Sequence, residues 1–438
     1  MSDAPNFAEP DSNAPAARLP DNSPDSGNLP DSANLFGRYA VLFAADICSR
    51  GLRFLADVVL FRHFEQQVFG QLNLAQALAI QGMGISTCGL DTAGTRDAAS
   101  GAIPLPTLAL TIVALRLATG MIGWGAVAGL ALIIPQYHAS FELAVLYGLS
   151  IFSGALTLGW VAQGRGQVHI VGMAALATQV GYFCGVELAA WANWPPVSIP
   201  LLLLLSETLS ALALWTWLWR TVGPMTKPLP LSRALALQRD SLPIGIASYL
   251  RLLTIGSDVL LLGLFATDAE LGQYSVGFKL YSVAVSMQSV YFAVLLPHLA
   301  GHAAGTLATI RTNLISALRR SLAIVAPAAV VVGLCADPLL HLLFPRALHT
   351  AVGILQILAV AIPVNLGAGH FRSVLLAVGR QRLDVRLVAI GAIVHVAAKL
   401  FLIPLLGMLG AAWGTVLGET VVMLLAWQAC RAVLRENV

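Results

Sequence analysis

Apolar residues run in long unbroken blocks along this chain, and polar residues collect in the short stretches between them. The blocks fall at about 36–61, 70–92, 104–134, 140–163, 167–190, 198–220, 241–265, 273–299, 319–335, 350–376, 384–404 and 408–431. A helix crosses a hydrocarbon layer with about 20 mostly apolar residues, and these blocks are of that order. Membrane β-strands would alternate polar and apolar over ~10 residues, whereas "LLLLLSETLSALALWTWLW" does not alternate. The pattern predicts an all-α polytopic membrane protein with about twelve transmembrane helices.

The polar stretches give the domain plan. Residues 1–34 hold six acids and one base, Arg18, with six of the 22 prolines. Such a segment buries no apolar face, so a disordered acidic tail is expected. It lacks the basic and apolar regions of a signal peptide. Lys and Arg gather in cytoplasmic loops. Fourteen of them follow the even-numbered blocks or close the chain, while only Arg62 and Arg346 follow odd-numbered ones. This alternation predicts a multi-pass protein with both termini in the cytoplasm. A basic cluster, Arg220, Lys227, Arg233 and Arg239, marks a cytoplasmic linker at 223–240 between an N-terminal six-helix bundle (35–222) and a C-terminal one (241–438). Within it, "KPLPLSRALAL" reads as a short amphipathic surface piece.

The two halves also share a motif. "RFLADVVLFRHFEQQVFGQL" aligns with "TIGSDVLLLGLFATDAELGQY", placing Asp57 on Asp258, Arg50 on Arg251, and Gly70-Gln71 on Gly272-Gln273 after one inserted residue. Six helices separate the copies, so both cross in the same direction. Two bundles related by a pseudo-twofold axis around a central cavity are therefore expected, a plan used by transporters.

With 57% hydrophobic and 11% charged residues, the charges inside the blocks stand out. In "DICSRGLRFLAD", Asp46, Arg50, Arg53 and Asp57 share one stripe at ~100° per residue. Arg251 and Asp258 share a face of the seventh helix. Lys279 sits in a stripe with Ser275, Ser282, Ser286 and Ser289, and Lys399 lies one turn beyond His395. Arg116, Arg372 and Glu419 are single intramembrane charges, with Glu187 and Glu207 expected nearer the outer ends. Facing lipid, each would cost about 2.5–3.5 kcal/mol, so the stripes predict a shared aqueous chamber that leans basic. Local ion pairs at i,i+4, Asp46 with Arg50 and Arg53 with Asp57, are the structural alternative for the first helix. Close helix packing is the alternative for the serines.

Arg50, Arg53, Arg251, Lys279, Arg372 and Lys399 are the candidate contacts to an anion, because guanidinium and ammonium groups suit phosphate. Asp46, Asp258 and Glu419 are the candidate ion-coupling acids. His298 and His370 read as packing residues, and Trp191, Trp194, Trp217 and Trp219 as interface anchors. Five scattered cysteines without a CxxC pair indicate neither disulfides nor a metal site. No P-loop, HExxH helix or nucleophile elbow occurs, so no cofactor and no enzymatic activity are expected.

Several stretches resemble one family: "CGLDTAGTRDAA", "YSVGFKLYSV", "LLPHLA", "LLAVGRQRLDVRL" and "LIPLLGMLGAAWGTVLGE". They are similar to the polysaccharide-transporter (Wzx-like O-antigen and capsule repeat-unit flippase) branch of the multidrug/oligosaccharidyl-lipid/polysaccharide flippases. The resemblance implies alternating access. It also implies a bacterial inner-membrane flippase that moves an undecaprenyl-pyrophosphate-linked oligosaccharide from the cytoplasmic to the periplasmic leaflet. Its expected partners are that lipid-linked substrate, membrane lipid and other polysaccharide-assembly proteins, with no nucleic acid. "VHVAAKLFLIP" departs from the family's Asn-rich pattern through His395 and Lys399. The alternatives are a cation-coupled multidrug exporter of the same fold, which needs an acid-dominated cavity, and a membrane-embedded polysaccharide polymerase, which needs a larger external loop than this chain offers.

Overall fold

The structure, a computed structural model, describes residues 32–223, 227–302, 307–346 and 349–435. The acidic segment expected at 1–34 lies outside the described residues as far as 31, and 32–34 open the first helix. The helices are α1 (Ser32–His63), α2 (Gln66–Thr87), α3 (Leu90–Ser100), α4 (Leu105–Ile133), α5 (Phe141–Gly148), α6 (Ser150–Ala155), α7 (Gly159–Gly164), α8 (Val168–Trp191), α9 (Ser198–Val222), α10 (Leu231–Leu262), α11 (Asp268–His302), α12 (Leu307–Leu334), α13 (Ala336–Leu343), α14 (His349–Ala377), α15 (Gln381–Leu406) and α16 (Met408–Val433). A 3₁₀ turn, Pro135–Ser140, precedes α5.

Eight described segments are long and apolar enough to cross a membrane, and α10 makes nine when counted through its bend. The chain also has α1, α2 and α11, with 32, 22 and 35 residues, whose charged, amide or hydroxyl side chains dilute their apolarity. Together they account for the twelve predicted runs, with α5 to α7 forming one broken span. Residues 231–240, expected as linker, are instead the opening turns of α10. Pro230 stands at its N-cap, and "LSRALALQRD" is rich in helix formers.

In the N-terminal half α1 packs along α8 and α2 along α4. In the C-terminal half α10 packs along α15, and α16 between α14 and α15. α10 bends by 58° at Thr254–Gly256, where Gly256-Ser257 form the kind of pair at which helices kink. Between the halves, α2 meets α10 and α11. The repeated Gly-Gln motif is this crossing. A Cβ at Gly70 would collide with the Asp268 carbonyl, and one at Gly272 with the Gln66 carbonyl, so the two backbones touch.

The end of the molecule away from the chain termini is held by cross-capping. Arg346, after α13, donates from Nη2 to the carbonyls of Phe61, Arg62 and Phe64 at 2.5, 2.9 and 2.9 Å, the C-terminal end of α1. Arg62 donates to the carbonyls of Leu343 and Leu342 at 3.0 and 2.6 Å, the end of α13. Helix ends leave such carbonyls without intrahelical partners. The counterpart contact is Tyr137, whose hydroxyl donates to Leu260 O at 2.6 Å near the end of α10. Beneath this layer Phe61 meets Phe69 and Phe344 edge to face, with centroids 5.3 and 5.2 Å apart.

Candidate functional site

Between the two halves lies a cavity of about 770 Å³. All four ionisable residues of the α1 stripe line it, together with Lys279, Ser282, Ser286 and Ser289 of α11, Glu207 of α9, Asp258 of α10, and Asn365 and Glu419 of α14 and α16. Side-chain exposure along α1 falls from 42% at Arg50 and 35% at Asp46 to 6% at Asp57. The cavity therefore opens toward the end carrying the termini and is shut at the end carrying Arg62 and Arg346.

Of the two local pairs weighed on sequence, one forms and the other does not. Asp46 and Arg50 do form the i,i+4 pair, at 2.8 Å. Asp57 bonds Lys279 at 2.7 Å, across the boundary between halves. Arg53 lies over the Tyr182 ring, 4.7 Å from its centroid, and its Nη2 is buried with no hydrogen-bond partner. Ser282, Ser286 and Ser289 donate to carbonyls of their own helix, so their oxygens face the cavity as acceptors.

Three candidate bases are absent from this wall. Arg372 donates to both oxygens of Asp384 at 2.7 and 3.1 Å, and Arg251 Nη2 stands 4.0 Å from the same carboxylate. Asp384 sits in the first turn of α15 and draws both arginines to itself. Lys399 is fully buried. Its ammonium bonds Asp258 and donates to Ser257 Oγ at 3.0 Å, while Thr415 donates to Asp258 at 3.0 Å. Glycines on α16 make room for this network: a Cβ at Gly414 would strike Lys399, and one at Gly418 the His395 ring. A buried ion pair of this kind holds only while both partners are present.

The expectation of a basic-leaning chamber is overturned. Five carboxyl groups, Asp46, Asp57, Glu207, Asp258 and Glu419, line the wall against three bases, Arg50, Arg53 and Lys279. The missing bases are those captured by Asp384 and Asp258. Glu207, expected near an outer end, is the extra acid; it accepts from Ser153 Oγ at 2.5 Å. A sequence signal marks it: "Glu-Thr-x6-Trp" occurs at Glu207–Trp215 and again at Glu419–Trp427. Glu419 accepts from Asn365 Nδ2 at 2.9 Å and stands 3.8 Å from His395 Nε2.

Arg116 serves the fold. Its guanidinium donates to the carbonyls of Gly154 and Thr157 at 2.7 and 3.3 Å, at the break between α6 and α7. It pairs with Asp91 at 3.0 Å, and Trp215 Nε1 donates to another carbonyl at the break, Leu156, at 2.9 Å. Among the described residues no group of three or more His, Cys, Asp or Glu is placed to hold a metal ion.

A family model described as polysaccharide biosynthesis protein matches residues 38–301, and one described as lipid II flippase MurJ matches residues 273–435. Among solved structures, the chain is similar to the lipid II flippase MurJ in an inward closed conformation (10% identity, 90% of this chain and 87% of that chain, TM-score 0.74). It is also similar to a multidrug resistance MATE family transporter of the MOP superfamily. The inward-facing form of that transporter gives 14% identity, 88% of this chain and 95% of that chain, and a TM-score of 0.71. The outward-facing form gives 14% identity, 91% and 96% coverage, and a TM-score of 0.61. At these identities the likeness is one of fold. No curated protein matches the sequence.

Proposed function

The chain belongs to the polysaccharide biosynthesis protein family, in the flippase branch of the MOP superfamily, and from that premise we propose that it moves an undecaprenyl-pyrophosphate-linked oligosaccharide across the bacterial inner membrane. The observation that carries the reading is Arg53: a guanidinium nitrogen buried on the cavity wall without a partner. Buried donors in folded proteins are satisfied as a rule, and a spare guanidinium N–H beside the Tyr182 ring suits a phosphate oxygen. Arg50 and Lys279, already paired to Asp46 and Asp57, are the next cations such a headgroup meets. Arg251 and Arg372 would meet it only if it drew them from Asp384.

The loop charges support cytoplasmic termini, so the open side of the cavity faces the cytoplasm and the state described here is the loading state. The substrate enters from that leaflet, its lipid tail stays in the bilayer, and the bundles rock to release the headgroup on the periplasmic side, where enzymes of polysaccharide assembly take it up. The carboxyl majority on the wall favours one other reading, export of an organic cation.

Arg53→Ala should abolish surface polysaccharide while the membrane level of the protein stays constant. Arg53→Lys, which keeps charge but loses the fork, should restore part of it. Normal export from Arg53→Ala would sink the anion reading. Efflux of a quaternary ammonium dye, lost on Asp46→Asn, would favour the cation exporter.

A further inference from the structure

Glu207 and Glu419 repeat each other in more than sequence. Each follows the same Glu-Thr-x6-Trp pattern in the last helix of its half, α9 or α16. Each accepts a hydrogen bond from a neutral side chain in the fourth span of its own half, Ser153 or Asn365. In both cases the two partners are 54 residues apart in the chain. Both carboxyl groups line the central cavity. The other wall acids have a base as partner: Asp46 has Arg50, Asp57 has Lys279 and Asp258 has Lys399.

We propose that Glu207 and Glu419 are a symmetry-related pair of proton-binding sites, and that their occupancy decides whether the cavity attracts an anion. The step is simple: each carboxylate takes one proton from water to become a carboxylic acid, and no other bond changes. A carboxylate buried without a counter-ion is relieved by taking a proton. A metal cation is the other occupant a carboxylate takes, and the titration below separates the two by their response to sodium. Arg53 from α1 faces Glu207 across the cavity. His395 and Lys399 from α15, Arg372 from α14, Asp258 from α10 and Tyr281 from α11 surround Glu419.

The pair controls a sign. With both glutamates ionised, the five wall carboxylates outnumber Arg50, Arg53, Lys279 and the Lys399 behind Asp258. With both protonated, those four bases outnumber the three remaining carboxylates. Protons and an anion therefore bind better together than apart, and the coupling is reciprocal. This anion-binding clause rests on the transport reading above, whereas the proton sites do not.

The test is an infrared titration of the full chain in lipid nanodiscs, following the carbonyl band of protonated carboxylic acids. Glu207→Gln and Glu419→Gln should each remove one component, and the double variant both. Ser153→Ala and Asn365→Leu should shift a component along the pH axis without removing it, and Asp46→Asn should leave both. Inorganic pyrophosphate is the anion probe. Relative to the double Gln variant, wild type should bind it at least tenfold more weakly at alkaline pH, since even one unit charge ~10 Å from another at an effective dielectric of ~20 has that effect and the variant removes two. Bands that persist in the double variant, or that respond to sodium and not to acid, overturn the pair. A wild type that tracks the double variant at every pH overturns the sign control. Bands as expected with no pyrophosphate binding at any pH would sink the anion reading and leave the proton pair standing.

Discussion

The cross-cap at the closed end makes a measurable prediction. Arg346 joins one half to three carbonyls of the other, and Arg62 returns two bonds. Any state open at that end has to break them. Hydrogen bonds to a charged group contribute ~1.5–3 kcal/mol when sheltered, but most of these are exposed to solvent, so ~0.5 kcal/mol each is the fairer figure. Arg346→Ala removes three, or about 1.5 kcal/mol of preference for the closed end. At 1.36 kcal/mol per tenfold, the open population should rise roughly tenfold, and further when Arg62→Ala is added. Single-molecule energy transfer reads this directly, with dyes at Ala139→Cys and His341→Cys, both exposed and in opposite halves, in a chain whose five native cysteines are replaced. A change under twofold would refute the latch. So would a lowered melting point with unchanged populations, which would reduce these arginines to packing.

Two further outcomes follow from the packing. Gly272→Leu forces a side chain into the Gln66 carbonyl and should lower stability by ~1–3 kcal/mol, read as the thermal midpoint of the purified protein; Gly125→Ala, inside α4 with nothing within 4 Å, should not lower the midpoint. Arg116→Met takes a donor from the Gly154 and Thr157 carbonyls and the partner from half-exposed Asp91 and should cost ~1–3 kcal/mol, seen as loss of folded protein on size exclusion.

The spans were legible because membrane crossing imposes a length that apolar blocks record directly. Even the broken fourth span read correctly as one block, yet its break did not, since "GALTLGW" carries no proline and the break is held by Arg116 from a distant helix. The α1 stripe was legible from helical spacing alone. What it bonds to was not: Lys279 lies 222 residues beyond Asp57 in the sequence, and no local rule joins them. Arg251 and Arg372 misled for a related reason. Their charge and depth fitted a cavity wall, but Asp384, the first residue of the block 384–404, was not counted among the intramembrane acids. Glu207 was discounted by its position along the block, although its repeat with Glu419 was there to be found.

The glycine crossing of α2 and α11 has one more consequence. Where Gly70 meets Gly272 the contact is backbone against backbone. Attraction between bare backbones fades fast, and a gap of 0.5–1 Å already forfeits a quarter to a half of it. A seam of this kind gives no resting place partway, and the far mouth of the protein should be found either sealed or wide.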